Sequence, residues 1–375
     1  MSYRVLLLGG GTGGHSYPLL PVARSLKEKA LAAGKNLELM IMGDGAFIEE
    51  VATTEGIVFK RVLSGKYRRY KSILNFLDVL KMPLGLIQAL WHVFWFMPDV
   101  VFSKGGAASF LPVLASRLYL IPVFLHDSDS IPGLANRKLA KRARKIFISY
   151  EKTAGFYPQG KTILVGNPIR KELFNRDKTE ALNYFKLSPA KKTLFIFGGS
   201  QGAQVINNEI LAVLVRMTEK YNVIHQCGDA NFKALQIDVA RIVKEGEGTY
   251  GQTISDSYRL YPFLSEEEIA FAYAASDLII SRAGGSIFEI AAAGKPAILI
   301  PLSSSADNHQ MENAMEFSKY GAVVIEEENN LTESILLGDI ERILRPETYD
   351  ATAQKIKSFA KPNAADEIAQ TLLNP

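Results

Sequence analysis

His15 stands directly after the run Gly9-Gly10-Gly11-Thr12-Gly13-Gly14, where the apolar stretch "YRVLLL" gives way to the amphipathic "LLPVARSLKEK". Glycines let a backbone approach a ligand closely, and the free N–H groups and partial positive charge of a helix's first turn favour an anion there. An imidazole, with an ordinary pKa of about 6.5, can take a proton from a hydroxyl near neutral pH. This seam therefore fits an anionic ligand beside a general base, or a histidine that only hydrogen-bonds the loop. Gly9-x-Gly11-x-x-Gly14 also satisfies the dinucleotide fingerprint, but that fingerprint wants an acidic residue about 20 positions on, at the end of the second strand. The nearest carboxylate after "LELMIM" is Asp44, which comes too late, so a dehydrogenase is disfavoured.

A second seam of this kind is "RAGGSIFEIAAAG", residues 282–294. Its glycine turn before a helix offers N–H groups to a diphosphate, and Glu289 within the helix can accept hydrogen bonds from ribose hydroxyls. The same letters also read as a helix start, with Ser286 as N-cap and Glu289 as its capping-box partner. The five histidines show no metal-ligand spacing, so no metal site is expected. The single cysteine, Cys227, excludes a disulfide framework and suggests a reducing cytoplasm; the chain opens directly on an apolar strand, so no signal peptide is expected.

The 375 residues, 47% hydrophobic and 22% charged, are an ordinary globular mixture, enough for two domains with a core each. The net charge of +4 hides an asymmetry: residues 1–166 carry 22 Lys and Arg against 11 Asp and Glu, a balance of +11, and the remainder carries −7. The basic half holds "KYRRYKSILNFLDVLKMPLGLIQALWHVFWFMPDV", in which Ile73, Phe76, Leu77, Leu80, Leu84 and Ile87 recur at helical spacing after Lys66, Arg68, Arg69 and Lys71. The uncharged run from Met82 to Pro98 falls short of the roughly 20 residues that span a bilayer. It fits a core-facing helix pair, or a patch that dips aromatics into lipid beside a basic collar facing anionic headgroups. In "GLANRKLAKRARK", Arg137, Lys141 and Arg144 are expected on one helix face.

Strand and helix patterns alternate throughout, as parallel α/β folds require. "YRVLLLGG", "LELMIMG", "GIVFKRV", "PDVVFSKGG", "IPVFLHD", "KIFISY" and "TILVG" predict a first sheet; "KTLFIFGG", "NVIHQCG", "YRLYPFL", "DLIISRAGG", "PAILIPL" and "AVVIEE" predict a second. Two Rossmann-like halves with glycine loops facing a common cleft are the simplest assembly. The expected division is 1–166 and 167–375, with the last helix able to pack back on the N-terminal domain.

Seven segments, "GGGTGGHSYP", "SKGGAASFLP", "HDSDSIPGLANR", "GNPIR", "GGSQGAQVIN", "SRAGGSIFEIAAAGKPAILIPL" and "NHQMENA", occur in an order that resembles the MurG family of bacterial N-acetylglucosaminyltransferases. The resemblance implies a GT-B fold and inverting transfer of N-acetylglucosamine from UDP-N-acetylglucosamine to undecaprenyl-diphospho-muramoylpentapeptide (lipid I), giving lipid II of peptidoglycan. The UDP-sugar is the donor substrate and no cofactor is required. The implied partners are lipid I and the anionic inner membrane surface, with no nucleic acid, and the implied location is the cytoplasmic face of the plasma membrane, as a peripheral protein. By resemblance His15 and Asp127 are candidates for the general base. Thr12, Gly13, Gly14, Asp129, Arg170, Ser200, Leu264 (through its backbone, toward uracil), Gly285, Ser286, Glu289 and Gln310 form the donor site. An arginine suits a diphosphate because its fork binds two oxygens at once. Two departures from the family pattern stand out. "HDSD" replaces the usual HEQN, which puts a carboxylate, Asp129, where an asparagine contacts the donor, and "RAGGSIFE" is one residue shorter than the common form. The alternatives are a UDP-sugar epimerase or hydrolase of the same fold, and a non-catalytic UDP-sugar-binding protein.

Overall fold

The computed structural model describes residues 2–10, 13–65, 73–199, 202–321 and 323–375, except for the side chains of 73–80 and 348–354. The chain divides into two compact units, residues 1–170 with 361–375, and residues 171–360. The division thus falls after Arg170 rather than after Gly166, and the C-terminal residues belong to the first unit.

The first unit is built on a seven-stranded sheet of β1 (Tyr3–Gly10), β2 (Leu37–Asp44), β3 (Val58–Arg61), β4 (Val100–Ser103), β5 (Val123–Asp127), β6 (Lys145–Ile148) and β7 (Thr162–Leu164). Every pair is parallel and the spatial order is β3-β2-β1-β4-β5-β6-β7. Side chains alternate across a strand, so a strand covered on both faces reads as a continuous apolar run. Val5, Leu7 and Phe102 face one way, into a core closed by the helix Leu19–Ala32 and the terminal helix Ala364–Leu373. Leu6, Leu8 and Val101 face the other way, toward the helices Ile73–Phe96 and Ala107–Leu118. The terminal helix is pinned to this unit by Tyr3, whose hydroxyl donates to the Leu372 carbonyl at 2.6 Å, and by Ser25, which donates to Asp366 at 2.7 Å.

The second unit repeats the plan with β8 (Lys192–Phe197), β9 (Tyr221–Gln226), β10 (Tyr258–Tyr261), β11 (Leu278–Ser281), β12 (Ala297–Leu299) and β13 (Val323–Ile325), all parallel, in the order β10-β9-β8-β11-β12-β13. In each sheet the strand order reverses beside the first strand, between β1 and β4 and between β8 and β11. Ligands of open parallel sheets bind beyond the carboxyl ends of the strands at such a reversal. Among the described residues, Gly10 and residues 104–106 stand at those ends in the first unit, and residues 198, 199, 202 and 282–286 in the second.

Two expectations are corrected here. The segment carrying Arg137, Lys141 and Arg144 is not one helix: an α-helix, Leu134–Leu139, passes into a 3-10 turn, Ala140–Arg142. Arg144 lies beyond both, its N–H already donating to Val123 O, so the three cations share no helix face. The helix Ile73–Phe96 exists, but Lys66, Arg68, Arg69 and Lys71, and the side chains of Ile73, Phe76, Leu77 and Leu80, lie outside the described residues. From Gly85 onward this helix presents Gly85, Ala89 and Val93 to the protein, an i, i+4, i+8 stripe. A Cβ at Gly85 would stand 2.2 Å from Leu63 O, so the helix docks there backbone to backbone. The opposite face, Leu84, Ile87, Trp91, Phe94 and Trp95, is exposed.

Candidate functional site

Close backbone approach explains the first glycines. A Cβ at Gly9 would lie 2.6 Å from His15 O, and one at Gly10, whose φ is +124°, would lie 2.5 Å from Asp44 O. These two glycines are thus required by the protein's own chain as it leaves β1. Gly11 and Thr12 lie outside the described residues. Gly13 and Gly14 open a short helix, Gly13–Ser16, which is separate from the amphipathic helix Leu19–Ala32 that follows. His15, half-buried, sits in that short helix. Its Nδ1 lies 3.3 Å from the Lys104 carbonyl oxygen. A carbonyl only accepts, so in this contact Nδ1 is the donor. Gly106, at φ +85°, passes close by: a Cβ there would meet the His15 ring at 3.5 Å.

Asp127 ends β5 and is buried. Its Oδ2 accepts from the Tyr157 hydroxyl at 2.5 Å and from Asn136 Nδ2 at 3.0 Å, and Asn136 also donates to His126 O. Burial pushes the Asp127 carboxyl above its usual range, against these two donors. Facing it is Lys104, the residue after β4, only 1% exposed. Lys104 Nζ donates to Ser128 Oγ. Burial drives this ammonium well below its ordinary pKa, opposed by the charges of Asp129 and Asp127. Asp129 therefore has a buried cation for a neighbour. Its backbone carbonyl accepts from Thr153 Oγ1 at 3.0 Å. His126 lies beneath, its ring Nε2 2.9 Å from Gly166 O; burial, and Lys104 beside it, hold this imidazole neutral. Arg170 closes the list for this unit, with its guanidinium 6.0 Å from the centre of the Tyr17 ring.

Lys104, Asn136 and Tyr157 are site residues that sequence reasoning passed over. For Lys104 a signal existed: a lysine immediately after a fully apolar strand, inside the glycine-rich "SKGG", has no solvated face to occupy. Asn136 and Tyr157 carried none, because both reach Asp127 through the fold alone.

In the second unit the β8 loop again needs glycines: at Gly202, φ +73°, a Cβ would lie 2.3 Å from Cys227 O. Ser200 lies outside the described residues. Leu264 is fully buried and its N–H donates to Gln226 Oε1 at 3.1 Å, so of its backbone groups the carbonyl is the one left for a uracil. Gly285 and Ser286 lie at the turn after β11. Ser286 does precede the helix Ile287–Ala293, but it has helical φ and ψ, −62° and −18°, and its side chain caps nothing. A capping side chain needs an extended backbone at that position, as Ser265 has in the box it forms with Glu268. The capping-box reading of Ser286 and Glu289 is therefore corrected. Glu289 Oε2 instead accepts from the Tyr273 hydroxyl at 3.2 Å. Gln310, in the first turn of the helix His309–Ser318, accepts the Leu302 N–H at 2.9 Å through Oε1. Asn313, one turn on, donates to Ala283 O at 3.2 Å and ties this helix to the glycine turn. Arg282 donates to Ile300 O and to Glu328, which also takes the Ser303 N–H, so the loop after β12 is fixed from the same side. Among the described residues no group of His, Cys, Asp and Glu could hold a metal ion.

The profile of the glycosyltransferase family 28 N-terminal domain matches residues 5–148, and that of its C-terminal domain residues 193–371. The chain is 33% identical, over 98% of its length and 97% of theirs, to a "UDP-N-acetylglucosamine--N-acetylmuramyl-(pentapeptide) pyrophosphoryl-undecaprenol N-acetylglucosamine transferase" of Clostridium novyi. It is 32% identical to the protein so named in Treponema denticola, covering 96% of this chain and 93% of that one. Among solved structures, MurG of Acinetobacter baumannii superposes with a TM-score of 0.74 at 24% identity, covering 100% of both chains. UDP-GlcNAc 2-epimerase of Neisseria meningitidis, bound to UDP-GlcNAc, superposes with a TM-score of 0.67 at 17% identity, again over 100% of both. These two structural likenesses speak to the fold.

Proposed function

This chain belongs to the MurG family of N-acetylglucosamine transferases, within glycosyltransferase family 28, and from that membership we propose that it transfers N-acetylglucosamine from UDP-N-acetylglucosamine to the muramoyl 4-hydroxyl of lipid I. The observation that carries the reading is identity above 30% along nearly the whole of relatives bearing that name. The epimerase alternative rests on a likeness of fold at 17% identity and is not favoured.

In this reading His15 Nε2 takes the proton of the attacking hydroxyl as that oxygen bonds to the anomeric carbon and UDP departs, inverting the centre. The Lys104 carbonyl sets the ring for this by holding Nδ1–H. Asp127, its Oδ2 engaged by Tyr157 and Asn136, holds the loop after β5 in place rather than acting as the base. Thr12, Gly13, Gly14 and Asp129 are the groups we assign to the approach of the reacting sugar. Arg170 and Ser200 bind the diphosphate, as do the N–H groups near Gly285 and Ser286. Glu289 accepts from the ribose hydroxyls, Gln310 contributes its amide, and the Leu264 carbonyl faces the uracil. The exposed aromatics of the helix Ile73–Phe96 support a peripheral location on the cytoplasmic face of the plasma membrane, where a polyprenyl acceptor resides; among the described residues no helix is long and apolar enough to cross a membrane.

The test is incubation of the purified protein with labelled UDP-N-acetylglucosamine and a short-chain lipid I analogue. Label in the lipid product is expected. Free N-acetylglucosamine, or an epimerised nucleotide sugar without lipid product, would move the assignment to the epimerase or hydrolase class.

A further inference from the structure

Two half-buried lysines of this protein satisfy their ammonium groups with main-chain carbonyls. Lys295 donates to Ser276 O at 2.7 Å, and Lys161 to Lys141 O at 2.8 Å and Ala143 O at 2.7 Å. Such bonds tie segments together and need no neighbouring charge. Lys104 differs. Its ammonium donates to the Ser128 hydroxyl, in the loop between Asp127 and Asp129, and the charges of both carboxylates act on it. The same residue, through its carbonyl, holds the ring of His15, and its own N–H donates to Leu8 O at 2.8 Å, on the strand that leads into the glycine loop.

Lys104 thus touches three parts of the strand-order reversal: the end of β1, the short helix of His15 and the loop after β5. An ion taken out of water is retained at acceptable cost only where opposite charge and hydrogen bonds compensate it. Two carboxylates two residues apart, one of them buried, would conversely push each other toward sharing a proton without a cation between them. We propose that Lys104 is a positioning residue of the transfer reaction, whose buried ammonium balances Asp127 and Asp129 while its main chain orients His15, so that loss of that ammonium is felt at the His15 imidazole. The inference rests on the reading of His15 as the general base.

The consequence is electrostatic and has a sign. The groups facing Lys104 are Asp127 and Asp129 from the loop after β5, His126 from β5 itself and His15 from the short helix; Tyr157 and Arg137 lie behind Asp127. Removing the cation leaves uncompensated negative charge near His15, which favours the imidazolium and raises its pKa. A nearby charge of this kind moves a pKa by about one unit or more.

The experiment replaces Lys104 by methionine, which keeps the length and removes the charge, alone and together with Asp129→Asn. The His15 imidazole is titrated by NMR in the free enzyme, a readout that needs no turnover. Lys104→Met is expected to raise the His15 pKa by about one unit and to move the acid limb of kcat to higher pH, lowering kcat about threefold near pH 7 and about tenfold well below it, with KM for UDP-N-acetylglucosamine changed much less. Asp129→Asn in the same chain should return the His15 titration toward the parent, which a packing role for Lys104 would not do. An unmoved His15 titration in Lys104→Met, or a double variant no closer to the parent than the single one, overturns the proposal. Should Lys104→Met fail to fold, Ser128→Ala removes only the acceptor hydroxyl: a smaller shift in the same direction supports the proposal and an unmoved profile overturns it. A parent protein that transfers no sugar to lipid while the titrations behave as expected would refute the transferase reading and leave the charge balance standing.

Discussion

His15 is held at Nδ1 by the Lys104 carbonyl, and the proposed transfer uses its other nitrogen as the base. General-base catalysis contributes about 10²–10⁴ in rate. His15→Gln keeps a polar side chain but removes the proton acceptor, so kcat should fall at least about a hundredfold while UDP still binds; near-parent turnover would take His15 out of the role. At the donor end Glu289 and Gln310 differ in how committed they are. Gln310 already spends Oε1 on the Leu302 N–H, so its replacement by alanine loosens the protein's own loop as well. Glu289→Gln is cleaner, because an amide oxygen can still accept from Tyr273. Losing the charge assistance of the ribose hydrogen bonds costs about 1–1.5 kcal/mol, so UDP affinity should drop about five- to tenfold with thermal stability unchanged. Calorimetry giving parent affinity would mean that the ribose lies elsewhere. Residues of this kind were legible where chemistry and local spacing coincide, as at His15 after its glycines or Glu289 after its turn. They were illegible where only the fold makes the partner: Tyr157 comes from 30 residues on, and Asn136, though nine residues on in the same "HDSDSIPGLANR", bears no local mark of its bond to Asp127.

At the scale of elements, the thirteen strands among the described residues stand where the sequence runs put them; central strands such as β4 and β11, buried on both faces, cannot hide their composition, whereas the half-exposed edge strands β3 and β7 follow from shorter runs between turns. Helix ends were harder. Ser286-x-x-Glu289 and Ser265-x-x-Glu268 are the same signal, and only the second forms a box, since the backbone angle at the serine is set by the turn before it. The basic run after Gly133 likewise spells a helix that the fold interrupts at Ala140 so that Arg144 can join the edge of β6. One inter-element contact carries a pH dependence. Glu326, just past β13, has Asp339 of the helix Glu333–Ile343 for a neighbour, and burial together with that second carboxylate pushes the Glu326 carboxyl up to about 7. A carboxyl raised in the folded state binds its proton more tightly there than when unfolded. The stabilisation is therefore complete below the unfolded pKa of 4.5 and is lost as pH rises through about 7. Glu326→Gln keeps a hydrogen-bonding group without the charge. Its melting temperature relative to the parent should rise between about pH 5 and pH 8, and a difference that stays flat across that window would refute the coupling.

For the molecule as a whole, the charge asymmetry between halves, +11 against −7, pointed to different tasks, and the helix Ile73–Phe96 gives the first unit a surface suited to one of them. The core-facing and lipid-facing readings of this segment predict different exposures. Ala89 and Val93 are fully buried, so part of the helix is core; Trp91 and Trp95 are 60% and 65% exposed, so the aromatic face is not. Leu118 and Leu120 extend the same surface, since Tyr119 between them packs against Phe94 with ring centres 6.2 Å apart. The expected basic collar, Lys66, Arg68, Arg69 and Lys71, lies outside the described residues, but magnitudes still rank the two contributions. Each basic residue near an anionic surface is worth about 1 kcal/mol and is screened by salt, whereas burying a side chain the size of Phe94 is worth about 1.5–3 kcal/mol and is not. Binding to vesicles containing anionic lipid should therefore weaken in high salt without vanishing. Trp91→Ser, Phe94→Ser and Trp95→Ser together should abolish the salt-resistant part and cut transfer to membrane-embedded acceptor. Because these side chains are largely exposed, the triple variant should melt within a few degrees of the parent and keep full transfer to a water-soluble acceptor analogue. Glutamine at the four basic positions should remove only the salt-sensitive part. A triple variant that sediments with vesicles as the parent does would sink the membrane role of this face, and one that unfolds would return its aromatics to the core.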